Sequence, residues 1–75
     1  MNKRQTQCLD ALQILGKSTA REVAKYLFDN GYTNIEERNI AHPRLNELVE
    51  MDKVKIVGKK LDELTQKEVS IYEKI

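Results

Sequence analysis

Residues 41–56 read Ala41-His42-Pro43-Arg44-Leu45-Asn46-Glu47-Leu48-Val49-Glu50-Met51-Asp52-Lys53-Val54-Lys55-Ile56, and the hydrophobic period changes within them. Ala41, Leu45, Leu48 and Val49 share one face at helical spacing, whereas Val54 and Ile56 alternate with Lys55 as a half-buried strand does. A helix therefore gives way to a strand near Asp52, a residue type tolerated in the left-handed conformation that closes a helix. The helix is expected over about 36–51. Pro43 restricts its start: inside a helix a proline costs about 3 kcal/mol, but in the first turn the amide it lacks would be unpaired anyway. The regular part is expected from near Asn39, a good cap, after a separate turn over Ile35 to Arg38.

Upstream, Cys8, Ala11, Leu12 and Leu15 fall at i, i+3, i+4 and i+7, which predicts a helix over about 3–15 ended by Gly16. Thr19 and Glu22 form a capping box, and Ala20, Val23, Ala24, Leu27 and Phe28 follow as an apolar face. This second helix is expected over about 20–30, stopping at Asp29-Asn30-Gly31. Downstream, Val69 and Ile71 alternate with Ser70 and Tyr72, so residues from about 54 to 74 read as a hairpin whose tip runs from Gly58 to Glu68. A competing helix over 60–75, through Leu61, Leu64, Glu68, Ile71 and Ile75, would suit pairing with a second copy. β-Branched Val69 and Ile71 around Ser70 favour the strand.

The 75 residues suit one small α+β domain, mostly α, with three helices and a C-terminal hairpin. A composition 40% hydrophobic and 33% charged supports a folded chain. The four aromatic residues, Tyr26, Phe28, Tyr32 and Tyr72, are too scattered for a base-stacking platform. No apolar run approaches the roughly 20 residues that span a bilayer, and Met1 to Gln7 lacks the apolar core of a signal peptide. The single Cys8 predicts a reducing, cytoplasmic setting and offers no disulfide or thiol metal site. Residues 1–25 carry five bases against two acids, 26–52 two against six, and 53–75 six against four. Basic ends around an acidic middle suit contact with a polyanion through the termini.

No constellation supports catalysis. His42 has no second His or Cys for a metal, and no nucleophile sits in a recognisable motif beside it. Gly16, Gly31 and Gly58 are too far apart for a phosphate loop. No enzyme activity, cofactor or metal is expected.

Ser18-Thr19-Ala20-Arg21-Glu22-Val23-Ala24 resembles the opening of the second helix in winged helix-turn-helix DNA-binding domains. Arg44 to Val54 resembles their third helix running into the wing, and Gly58-Lys59-Lys60, Thr65 and Val69-Ser70-Ile71-Tyr72 are similar to the wing of small phage-type members. The resemblance covers about residues 4–73. It departs at Asp52, where glycine is usual before the wing, and at Gln66-Lys67, where Gly-Arg is expected after Thr65. It implies double-stranded DNA binding by a small transcriptional regulator or phage accessory factor. The alternative is a winged-helix module that binds protein and no DNA.

In a DNA-binding domain of this kind the third helix would enter the major groove with the side opposite Leu45, which holds Asn39, Pro43, Asn46, Glu47 and Glu50. Asn39 and Asn46 would read adenine edges and Arg44 guanine, with His42 beside them. Lys17, Ser18, Thr19, Arg21, Lys25 and Arg38 would hold phosphates, helped by the positive end of the second helix. Lys55, Lys59, Lys60 and Lys67 would add wing charge along the flanking backbone. Glu47 and Glu50 stand against this reading, because they would repel DNA from the same face. The small footprint of one module favours a homodimer.

Overall fold

The computed structural model describes all 75 residues. Its elements are α1 (Lys3–Leu15), α2 (Ala20–Asp29), a short 3-10 turn (Arg38–Ile40), α3 (His42–Glu50), β1 (Val54–Asp62) and β2 (Lys67–Lys74). Three helices precede a two-stranded antiparallel hairpin, a layout compatible with a winged helix. No helix is long and apolar enough to cross a membrane.

Local chemistry accounts for most of the boundaries. Asn2 and Gln5 close a capping box at the start of α1, and Gly16 ends it at φ 79° and ψ −149°, a backbone region that in practice only glycine adopts, with its amide donating to the Leu12 carbonyl. Thr19 and Glu22 form the box expected at α2, with the Glu22 carboxylate 2.8 Å from the Thr19 amide. The third helix is shorter than the sequence suggests. It spans His42–Glu50 rather than about 36–51, since the Pro43 ring would strike the carbonyl four residues back if the helix ran through it. Pro43 therefore sits in the first turn, and Asn39 lies in the preceding 3-10 turn rather than at the cap. Ala41 occupies the cap without a side-chain hydrogen bond.

The core is one cluster. Cys8, Ala11 and Leu12 of α1 meet Ala20, Val23, Ala24 and Leu27 of α2, with Ala41, Leu45, Leu48, Val54 and Tyr72 completing it. Leu15 and Phe28, placed on apolar faces by spacing, are instead exposed at the helix ends, where no element reaches over them.

The hairpin excludes the competing C-terminal helix, and its turn is tighter than expected, running only from Glu63 to Gln66. Its faces also differ from simple alternation. Val57 is the extra residue of a register shift between Ile56 and Gly58, which breaks the two-residue period beyond it, and Ile56 is 48% exposed although it pairs with the buried Tyr72. Tyr72, not Val69 or Ile71, is the fully buried side chain of β2. The reason is tertiary: Ser18 pairs with Tyr72 on the free side of β2, with N–H to O distances of 2.9 and 2.8 Å in the two directions. This contact ties the entry to α2 to the hairpin and pins the Tyr72 ring against the helices.

Two residues other than glycine adopt positive φ, Asp52 at 58° and Gln66 at 59°. Asp52 closes α3 as its residue type suggested, and Gln66 closes the hairpin turn through its amide to the Asp62 carbonyl at 2.8 Å.

Candidate nucleic-acid interface

The outer side of α3 is polar, with Asn39, Pro43, Asn46 and Glu50 exposed and His42 half-buried. Glu47 does not join them. Its carboxylate accepts from the Gln5 side-chain amide at 2.8 Å and pairs with Arg44 at 3.1 Å, so it is held at the seam between α1 and α3. Arg44 lies on the same seam, close enough to the buried Cys8 thiol to act on its titration. The structure thus separates Arg44 from Asn46, which the sequence grouped together, and withdraws one of the two carboxylates that opposed an anionic ligand.

Asn46 and His42, one helical turn apart, join a chain of hydrogen bonds that reaches the hairpin. The Tyr72 hydroxyl donates to Asn46 Oδ1 at 2.8 Å, and Asn46 Nδ2 lies 3.3 Å from His42 Nε2. Burial pushes the Tyr72 hydroxyl above its ordinary pKa against the opposing pull of Arg38 and Ser70, so it stays protonated and can donate. Burial and the nearby Arg38 cation hold His42 below its ordinary value, which keeps the imidazole neutral and able to accept. The i,i+4 spacing of His42 and Asn46 was visible in the sequence, but their link to Tyr72 across 26 residues had no local signal.

The basic residues divide into paired and free. Arg21 binds Asp62 at 3.1 Å, Lys25 binds Asp29 at 3.0 Å, Lys55 approaches Glu73 at 3.6 Å and Lys60 binds Glu22 at 3.1 Å. The exposed pairs are worth only about 0.2–1 kcal/mol each, so a phosphate would exchange them readily. Arg21 with Asp62 is different, because Asp62, which the sequence placed within the hairpin tip, is buried. Burial pushes the Asp62 carboxyl up, yet the Leu64 amide, Arg21 and Thr65 hold it below its ordinary value. Burial likewise opposes, and Thr19 and Lys60 outweigh it, at Glu22. These groups fasten the hairpin to the start of α2.

Lys17, Arg38, Lys59 and Lys67 carry no ion pair. The Arg38 Nε is buried without a hydrogen-bond partner. Arg38 and Lys67 wall one cleft of about 210 Å³ between the 3-10 turn and the hairpin, together with the carboxylates Asp62 and Glu68 and with Thr65 and Val69. Lys17 and Lys25 line a different cleft, of about 360 Å³, between the end of α1 and α2. Ser18 and Thr19 are both buried, the Ser18 hydroxyl donating to the Gly16 carbonyl and the Thr19 hydroxyl capping α2. No group of three or more His, Cys, Asp or Glu side chains is placed to hold a metal ion.

The chain matches no protein-family model, no curated protein and no solved structure. Function is therefore read from the site itself.

Proposed function

We propose that the chain is a winged helix-turn-helix domain that binds double-stranded DNA, with α3 in the major groove and the hairpin along the flanking backbone. The observation that carries this reading is the outer side of α3, where Asn46 and His42 form one hydrogen-bonded chain with Tyr72 of the hairpin beside the Arg38 cation, and the Glu47 carboxylate is drawn away toward α1. Asn46 supplies base-edge hydrogen bonds. Arg38, Lys59 and Lys67 supply charge to phosphates without first losing a carboxylate partner. Lys17 and Lys25 face another cleft and contribute at most to the long-range field. One such module covers a short stretch of duplex, so two copies on adjacent half-sites extend the contact. This is the activity of a small transcriptional regulator or phage accessory factor.

Titration of a labelled random duplex over a range of salt concentrations tests the proposal. Affinity falls steeply with salt as phosphate contacts release counterions, with a log–log slope near −0.9 for each phosphate neutralised. Absence of duplex binding at low salt contradicts it. That outcome favours a protein-docking module, for which exposed Leu61 and Leu64 on the hairpin would supply apolar contact.

A further inference from the structure

An asparagine amide donates two hydrogen bonds from nitrogen and accepts two at oxygen. In Asn46 one of each is used inside the protein: Tyr72 donates to the oxygen, and the nitrogen faces His42 Nε2. One N–H and one oxygen lone pair remain on an exposed side chain. An adenine in the major groove offers the complementary pair, the N7 acceptor and the N6 donor. A free asparagine rotates half a turn about its Cβ–Cγ bond at little cost and exchanges donor for acceptor, so orientation decides whether it discriminates.

We propose that the Tyr72 hydroxyl is a positioning group that fixes the Asn46 amide, with His42 Nε2 as its second anchor, so that α3 presents one donor and one acceptor to an adenine edge. This rests on the DNA-binding reading above. The Tyr72 hydroxyl donates to the amide oxygen, and that arrangement places Nδ2 toward His42 Nε2. His42 Nε2 must then be the unprotonated nitrogen, with the imidazole proton on Nδ1. The groups that act on this imidazole are the Arg38 cation from the 3-10 turn and, through Asn46, the Tyr72 hydroxyl from β2. No carboxylate pairs with His42. Protonation of Nε2 would set a donor against the Asn46 N–H, and the amide would rotate or part from the imidazole. Either change reverses or loosens the pair presented to the base, so selectivity for adenine falls on acidification.

The test combines a measurement on the free protein with one on duplex. Nitrogen-15 NMR of the free chain at neutral pH should show His42 with Nε2 unprotonated, and the Asn46 side-chain amide should shift as His42 titrates; a proton on Nε2 overturns the proposal. Sites selected from a random duplex pool then give the affinity ratio between the preferred adenine and its replacements, expected at about tenfold or more. Tyr72→Phe keeps the ring, and its melting curve checks the fold; the ratio should fall toward one. His42→Gln supplies an acceptor that does not titrate, so the ratio should lose its pH dependence. A wild-type chain that binds no duplex contradicts the function proposed above and this inference with it. A chain that selects a site and keeps the full ratio in Tyr72→Phe overturns this inference alone.

Discussion

Gln66 and Asp52 hold the left-handed conformation without being glycine, and they stand at the two places where the resemblance to winged helices leads one to expect glycine. A side chain there costs about 1–2 kcal/mol relative to right-handed backbone, less for Asp, and glycine avoids that cost while losing more chain entropy. Gln66→Gly should therefore stabilise the domain by up to about 1 kcal/mol, and Asp52→Gly by less, as measured by urea unfolding. A loss of stability in both would mean that the side-chain contacts, such as Gln66 Nε2 to the Glu63 carbonyl at 2.8 Å, outweigh the backbone cost. Titration adds a second prediction at this scale. His42 is held below its ordinary 6.5, so the unfolded chain takes up the proton first and stability falls as pH drops below about that value. Glu22 and Asp62 are held below their ordinary 4.5 and 3.8, so the stability they contribute is present above those values and is lost as pH falls through their lower folded ones. Urea midpoints against pH should show both losses. His42→Gln should remove the first, and Arg21→Gln should diminish the second. Cys8 contributes nothing near neutrality, because burial pushes its thiol up to about 11 against the weaker pull of Arg4 and Arg44. It should react with thiol reagents only when the fold opens.

At the scale of elements, α1 and α2 were legible because each combines a 3.6-residue apolar period with its own end signals. α1 begins and ends where the period predicts, and α2 stops one residue short of Asn30. α3 was legible only in its interior. Pro43 marks the first turn but does not say how much chain before it stays irregular, and a 3-10 turn at Arg38–Ile40 occupies what spacing alone assigns to helix. The strands were legible as strands and not as faces, since the shift at Ile56 and the pairing of Ser18 with Tyr72 are set by residues distant in sequence. The candidate site suffered the same limit. Asn46 and His42 could be placed on the outer side of α3 by spacing, while the anchoring of Glu47 to Gln5 spans 42 residues. A prediction follows for each part. Leu48→Ala should cost about 2–5 kcal/mol, because Leu48 is fully buried in a domain whose total stability is of similar size. In the hairpin, Lys59 and Lys67 are unpaired whereas Lys60 is held by Glu22. Changing Lys59 and Lys67 together to Ala should weaken binding to all duplex sequences alike and reduce the salt slope by about 2, one for each lost phosphate contact. An unchanged slope would assign these lysines to solvent.

At the scale of the molecule, the hairpin is fastened at two levels, by Ser18 to Tyr72 near its base and by Arg21 and Lys60 to Asp62 and Glu22 farther out. Such fastening holds the Lys67 side of the hairpin in fixed relation to Arg38 and α3, so a duplex would meet one preformed surface rather than two parts that must first be ordered. A direct test of that surface is the map of amide shifts in nitrogen-15 NMR as a short duplex is added at low salt. Shifts should concentrate at Arg38, Asn39, His42 and Asn46 and at Lys59 and Lys67 of the hairpin, and they should diminish together as salt is raised. Shifts that gather instead around Lys17, Lys25 and Asn30 of the opposite cleft, or no shifts at any salt concentration, would contradict the account.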